Sequence, residues 1–309
     1  MDDAGRMKTK FWRFGLVGFP LEHSLSPRLH RAALSAMGLD GEYRLFPVLP
    51  GADGRQRLAD LLRQVRHGDL HGLNVTIPHK QAVLPYLDGL TPAAHAIGAV
   101  NTIFRQGYRL LGDNTDAPGF LADLEHFLHR HSLSITKSDC QPYALLLGAG
   151  GAARAVAYAL LASGWQVTIA ARRLEQASQL VEDLKPSELS DQPTAVSSKP
   201  PSITAISLDP FEIGNLTSKI DLIVNATPLG MHPNLDTSPW PEGLAFPEGA
   251  ALYDLVYNPS ATALVRAAHA VGLPAATGRG MLIEQAALAL ERWTGQVVSR
   301  QAMWEAIPD

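Results

Sequence analysis

Leu145-Leu146-Leu147-Gly148-Ala149-Gly150-Gly151-Ala152-Ala153-Arg154 is the stretch on which the fold turns. An apolar run from Ala144 to Leu147 reads as a buried strand. A glycine turn follows, and then an alanine-rich helical run to Ser163. Gly148, Gly150 and Ala153 fall at the three positions of a G-x-G-x-x-G/A fingerprint, each for its own reason. The first glycine permits the sharp turn, the second leaves no Cβ in the way of a pyrophosphate, and the small third residue lets helix pack on strand. Free N–H groups and the dipole of the following helix then favour the phosphates. The plainer reading is a glycine turn that binds nothing. The strand before it and the helix after it argue for the dinucleotide site.

Around this turn the chain alternates. Tyr143 to Leu147 is a strand, Ala152 to Ser163 a helix, Gln166 to Ala170 a strand and Leu174 to Leu184 a helix. Asp221 to Asn225 and Ala251 to Val256 are further strands, apolar enough for a parallel sheet covered on both faces. Met281 to Thr294 is a C-terminal helix. Pro186 to Pro201, rich in Pro and Ser, reads as an exposed loop. Upstream, Phe14 to Gly18, Tyr43 to Val48 and Leu73 to Thr76 are strands. Pro27 to Gly38 and Arg55 to Gly68 are helices, Ser26 serving the first as N-cap and Pro27 as N1. Pro78 opens another helix, Ala99 to Phe104 with Arg109 to Leu111 suggests a hairpin, and Asp116 to His131 is helical. No repeat of solenoid period is present. The fold class is therefore α/β, and 309 residues suit two domains.

Composition narrows the function. The chain is 46% hydrophobic and 18% charged, which supports ordinary cores. A net charge of -4 without a long basic run argues against nucleic acid. Cys140 is the single cysteine, so no intrachain disulfide forms and a reducing cytoplasm fits. No apolar run reaches the length of a membrane span. Met1 to Lys10 is polar, lacks the core of a signal peptide and reads as a frayed extension.

The cofactor can be narrowed further. NAD enzymes commonly carry an acid after the second strand, where it bonds the ribose 2′-OH. Here the residues are Ala171-Arg172-Arg173. A guanidinium grips a 2′-phosphate with two parallel bonds, so NADP is favoured over NAD. The alternative is that both arginines are solvated surface charges, and nearby Glu175 works against a phosphate. In the first domain, Gly18-Phe-Pro-Leu-Glu-His-Ser24-Leu-Ser26-Pro27-Arg-Leu-His30 sets two hydroxyls at a helix start, a good place for a carboxylate. The bland alternative is that Ser26 only caps its helix.

That segment resembles the substrate-carboxylate motif of the shikimate dehydrogenase family. The resemblance continues through Asn74-Val-Thr76-Ile-Pro78-His-Lys80, Gly98-Ala-Val-Asn101-Thr102, Asp113-Asn-Thr-Asp116 and Gly148 to Ala152. It runs on through Asn225 to Met231, Asp254-Leu-Val-Tyr257-Asn-Pro and Gly280-Met-Leu-Ile-Glu-Gln285, in family order from about residue 14 to 293. It implies the NADP-linked interconversion of 3-dehydroshikimate and shikimate, on the route to chorismate and the aromatic amino acids. It also implies a substrate domain of residues 1–116 plus 281–309, a Rossmann-type NADP domain of residues 117–280, and a C-terminal helix that returns to the first domain. By the resemblance, Ser24 and Ser26 bind the carboxylate. Thr76, Asn101, Asp116, Tyr257 and Gln285 hold the substrate, and Lys80 is catalytic. Gly148, Ala149, Gly150, Gly151 and Ala152 form the pyrophosphate loop, and Ala171 to Gln176, including Arg172 and Arg173, the adenosine-phosphate segment. Leu255 and Gly278 lie on the nicotinamide side. One departure stands out: the family's Asn-Arg-Thr-x-x-Arg is Ala171-Arg172-Arg173-Leu174-Glu175-Gln176 here, with Gln176 in place of the last Arg.

Reducing a ketone needs hydride on carbon and a proton on oxygen. A lysine serves both directions if its pKa lies near the working pH. Lys80 falls in the first turn of the helix begun by Pro78, where the dipole opposes its charge. Asp116, as an orienting group, would raise its pKa. Either residue taken alone reads as ordinary, Lys80 as a surface lysine and Asp116 as a helix cap ahead of Pro118. His126, His129 and His131 cluster without any cysteine, so a solvated helix face is preferred to a metal site. Two other functions remain in view: a quinate/shikimate dehydrogenase using NAD, and a silent shikimate-binding sensor. Small molecules are the expected partners, with no membrane, no nucleic acid and room for a homodimer.

Overall fold

The structure, a computed structural model, describes residues 10–133, 141–185 and 200–307. Residues 1–9 of the polar N-terminal stretch, Cys140 and residues 186–199 of the Pro/Ser run lie outside the described residues. In chain order the elements are β1 (Trp12–Gly18), α1 (Ser26–Ala36), β2 (Gly41–Pro47), α2 (Ala52–His67), β3 (Gly72–Val75), α3 (His79–Ala82), β4 (Gly89–Leu90), α4 (Pro92–Ile97), β5 (Thr102–Gln106), β6 (Arg109–Asp113) and α5 (Asp116–Arg130). They continue with β7 (Tyr143–Leu147), α6 (Gly151–Ala162), β8 (Gln166–Ala171), α7 (Leu174–Leu184), β9 (Ile203–Ser207), α8 (Pro210–Gly214), β10 (Leu222–Asn225), β11 (Ala251–Asp254), α9 (Ala263–Ala270), β12 (Ala275–Thr277), α10 (Arg279–Thr294) and α11 (Arg300–Ala306). No helix among the described residues is long and apolar enough to cross a membrane.

The chain divides into two compact units. The first takes the described residues of 1–95, 99–115 and 283–309, and the second those of 96–98 and 116–282. The chain therefore crosses from the second unit back to the first within α10.

The first unit is built on a six-stranded sheet in the order β2-β1-β3-β5-β6-β4. The β1 strand pairs in parallel with β2 and β3, while β5 runs antiparallel to β3 and to β6, so the expected hairpin is present in a mixed sheet. Its core gathers Val17, Leu58, Leu62, Val65, Leu73, Val75, Val100 and Ile103, all at most 3% exposed. One correction concerns α1. Leu25, not Ser26, is the N-cap, and no side chain caps the helix. Leu25 has helical backbone angles itself, and its carbonyl accepts from Arg28 and Leu29, so the helix begins one residue earlier than Ser-Pro suggests. The far end of α10 closes this unit. Trp293 lies where a side chain at Gly72 would be, 2.3 Å from the site of a Cβ there. Its ring stacks on Phe14 at 4.7 Å, and its Nε1 donates to the Ile103 carbonyl at 2.9 Å.

The second unit carries a six-stranded, wholly parallel sheet in the order β12-β11-β10-β7-β8-β9. Counted within the unit, that is the order 3-2-1-4-5-6 of a doubly wound dinucleotide-binding fold. The order reverses between β7 and β10, and the loops after their carboxyl ends form the crevice where such folds bind ligands. Leu145, Leu147, Ile223 and Leu252 are fully buried, as near-continuous apolar strands covered on both faces should be.

Candidate active site

The glycine turn stands at that crevice. Gly148 has φ +103°, and a Cβ on it would meet Thr227 Cγ2 at 2.9 Å, so glycine is required twice over, by conformation and by the approach of the loop after β10. A Cβ on Gly150 would meet nothing within 4 Å, which leaves open space over the turn. Gly151 starts α6, and Ala153 is fully buried where that helix packs. Arg154 is buried, ion-paired with Asp183 of α7, and donates to the Ile97 carbonyl at 3.4 Å. Burial pushes the Asp183 carboxyl up, but hydrogen bonds from Arg154 and Gln179 outweigh it and hold the group below its ordinary value.

At the end of β8, Ala171 is buried while Arg172 and Arg173 are exposed, Arg173 as the N-cap of α7. Neither arginine has an ion-pair partner among the described residues. Glu175 is exposed beside them. Gln176 reaches the other way, its Nε2 donating to the Ala149 carbonyl of the glycine turn at 3.0 Å.

The ends of β10 and β11 are tied by a buried polar knot. Asn225 Oδ1 accepts from the amide and hydroxyl of Thr227 at 2.9 and 2.7 Å, and its Nδ2 donates to Asp254 Oδ1 at 2.8 Å. Asp254 also accepts from the Val256 amide at 3.0 Å and the Thr262 hydroxyl at 2.6 Å. Burial pushes the Asp254 carboxyl up to about 6, against these three hydrogen bonds. Leu255 leaves the knot half-buried, its amide donating to the Asn225 carbonyl at 2.9 Å. Gly278 donates to the Val256 carbonyl at 3.2 Å and is buried. Behind them Tyr253 is fully buried and bonds the carboxylate of Asp123; burial, then that charge, raise its hydroxyl well above the ordinary range.

In the first unit, Ser24 and Ser26 flank Leu25, and Ser26 N lies 3.4 Å from the Ser24 hydroxyl. Gly18 and Thr76 sit side by side at the ends of β1 and β3: a Cβ on Gly18 would be 2.3 Å from Thr76 Cγ2. Lys80 is half-buried and its carbonyl accepts from Val100 at 2.8 Å. The helix around Lys80 is a single turn of four residues, so the opposing dipole is weaker than a full helix would give. Asn101 is buried and oriented from several sides. Its Oδ1 accepts from the Thr115 amide at 2.8 Å and the Thr102 hydroxyl at 3.0 Å, and its Nδ2 donates to Thr115 Oγ1 at 3.0 Å. Asn74 supports it, donating to the Asn101 carbonyl at 3.1 Å and accepting from Tyr43 at 2.8 Å.

Ser24, Ser26, Thr76, Lys80, Asn101 and Gln285 thus share one unit. Asp116, which is buried at the start of α5, and half-buried Tyr257 belong to the other with every cofactor-segment residue. Among the described residues no group of three or more His, Cys, Asp or Glu is placed to hold a metal. His131 instead packs edge-on against Phe127 at 5.0 Å. Sequence reasoning did not find the supporting roles of Asn74, Asn225 and Asp254, although all three fall in the quoted motifs, nor the reach of Gln176 to the turn.

The chain is similar to known proteins along nearly its whole length. Residues 16–103 match the shikimate dehydrogenase substrate binding domain, and residues 278–307 the shikimate 5′-dehydrogenase C-terminal domain. Over 296 residues the chain is 42% identical to the shikimate dehydrogenase (NADP(+)) of Salinibacter ruber, covering 94% of this chain and 95% of that one. The shikimate 5-dehydrogenase of Thermus thermophilus, solved with NADP(H) and shikimate, superposes with a TM-score of 0.77 at 37% identity, over 96% of this chain and 98% of that one. The quinate dehydrogenase of Corynebacterium glutamicum, solved with NAD, superposes with a TM-score of 0.80 at 29% identity, over 96% and 99%. Identity of this extent along nearly the whole chain places the protein in the shikimate dehydrogenase family.

Proposed function

We propose that this chain catalyses the reversible, NADPH-dependent reduction of 3-dehydroshikimate to shikimate, in the biosynthesis of chorismate and the aromatic amino acids. The observation that carries the cofactor half is the open glycine turn at the switch point of the parallel sheet, with exposed Arg172, which makes no ion pair among the described residues, one strand away. Those residues suit NADP. A Cβ at Gly150 would fill the space a pyrophosphate needs, and a guanidinium without a carboxylate partner suits a 2′-phosphate. Gly148 to Ala152 would hold the pyrophosphate, the segment Ala171 to Gln176 would lie at the adenosine end with Arg172 as its phosphate-binding group, and Leu255 with Gly278 would hold the nicotinamide end. Bound NADPH supplies the hydride.

The remaining steps belong to the chain. Ser24 and Ser26 bind the substrate carboxylate through their hydroxyls. Thr76, Asn101, Tyr257 and Gln285 bond the ring hydroxyls, Asn101 with an amide already oriented by Thr102 and Thr115. Lys80 donates its proton to the carbonyl oxygen as hydride reaches the carbon, and takes it back in the reverse direction. Asp116 orients the lysine and accepts from a substrate hydroxyl. The reading extends to a cytoplasmic enzyme, in keeping with one cysteine in the chain, and accommodates a homodimer, which sedimentation would count.

The decisive experiment is a four-way rate comparison of shikimate and quinate with NADP and NAD. Shikimate with NADP should be fastest. Faster quinate oxidation with NAD would transfer the assignment to a quinate/shikimate dehydrogenase, and shikimate binding without any NADPH turnover would make the protein a sensor.

A further inference from the structure

The side chain of Gln176 leaves the third residue of α7 and ends on the carbonyl of Ala149, with Nε2 to oxygen at 3.0 Å. It therefore straps the start of one helix to the turn after the neighbouring strand, since β7 and β8 pair along their length and end at Leu147 beside Ala170. The carbonyl it holds belongs to the Ala149–Gly150 peptide of that turn. Ala149 stands between Gly148, at φ +103°, and Gly150, whose missing side chain leaves empty space. That peptide rotates through ψ of Ala149 and φ of Gly150, and glycine's backbone freedom eases the second of these. In a trans peptide the carbonyl and the following N–H point in opposite directions. Fixing the Ala149 oxygen toward α7 therefore fixes the Gly150 N–H away from it. Rotation of that peptide would replace a donor by a carbonyl oxygen, which repels anions.

We propose that Gln176 is a positioning residue for the pyrophosphate turn. It holds the Ala149–Gly150 peptide in the orientation that offers an N–H to the diphosphate, and it does not itself read the 2′ position of the adenosine ribose. The inference rests on the dinucleotide-binding reading of this turn and deepens it. Its signature is indifference to the 2′-phosphate, because the diphosphate is common to both nicotinamide dinucleotides, whereas a residue that grips the 2′-phosphate matters to only one.

The test is equilibrium fluorescence titration of NADPH and NADH on the full-length protein carrying Gln176→Met, a change of similar length without a donor. Both dissociation constants should rise by the same factor, about 5-fold for one net hydrogen bond. The KM for each dinucleotide should follow, with kcat moving less than either. The apo-protein should melt as the unaltered protein does, which separates the effect from a general loss of fold. Gln176→Arg, which keeps a donor within reach, should restore NADH binding. A loss confined to NADPH, or no loss for either cofactor, would overturn the proposal. If the unaltered protein bound neither dinucleotide, the functional assignment itself would fail, and this inference with it.

Discussion

Gly278 lies so close to Leu255 that a Cβ on the glycine would stand 2.2 Å from the Leu255 carbonyl oxygen and 2.6 Å from its carbonyl carbon. The two residues come from the ends of β12 and β11 and are the positions assigned above to the nicotinamide. Backbone meets backbone here, so no flexible side chain can swing aside. Gly278→Ala should cost about 1–3 kcal/mol of stability, in the range of other overpacked sites, and should raise the KM for NADPH. Chemical denaturation and steady-state kinetics together check it, and an unaltered denaturation midpoint would mean that the two chain segments part freely.

Lys80→Ala should lower kcat by roughly 10²–10⁴, the usual worth of a positioned proton donor, with a smaller change in the KM for shikimate. A kcat within a few-fold of the unaltered enzyme would remove the lysine from proton transfer.

Arg172→Ala should weaken NADPH by about 10-fold or more, the range for hydrogen bonds to a charged group, and leave NADH nearly unchanged. Its effect is thus the opposite in kind to that of Gln176→Met, and titrating both cofactors on both variants separates recognition of the 2′-phosphate from support of the turn. Equal losses for the two dinucleotides would count against Arg172 as the phosphate-binding group.

Acid should unfold the first unit partly through His30. This histidine is 1% exposed and stacks on Tyr43 at 4.0 Å, and its Nδ1 is buried without a hydrogen-bond partner among the described residues. Burial, opposed by the neighbouring Asn74 side chain, lowers it from 6.5 to about 3. Between those values the unfolded chain binds more protons than the folded one, so this contribution to stability is whole above pH 6.5 and shrinks as pH falls, by at most about 1.4 kcal/mol per pH unit. Asp254 has the opposite sign. Its folded value of about 6 exceeds the ordinary 3.8, so the folded form takes up the extra proton and gains stability as pH falls through that window. His30→Phe keeps an aromatic ring and removes only the first effect. Relative to the unaltered protein, the variant should gain stability steadily as pH falls from 6.5 toward about 3. A difference that stays constant with pH would clear His30 of the role.

Much of this was legible in the chain, and the parts that were share a cause. The strand Tyr143–Leu147 and its glycine turn were readable because turn, helix start and apolar run are all local chemistry. Leu174–Leu184 was readable from its strong amphipathic period. The short elements β9, β12 and α9 went unseen. Three to eight residues, several of them alanine, make too short a run to be told from a loop, and tertiary pairing makes them strand or helix. Ser26 misled because Ser-Pro signals a cap, whereas the angles of Leu25 carry the helix one residue back. The bond from Gln176 of α7 to Ala149 joins segments that follow two different strands, and the bond from Thr262 back to Asp254 closes the loop after β11; no local pattern announces either.

The slot beside Gly72 has a consequence for how the molecule is made. Its filler, Trp293, is also bonded to a strand residue 190 positions earlier in the chain. A ribosome releases every residue of the nucleotide-binding half before it delivers the plug for the other half. The half translated first is thus the last to be completed. A message cut short just before its final helices would leave the parallel sheet finished and the mixed sheet with an uncovered face at Gly72, the kind of exposed apolar surface that invites chaperones or aggregation.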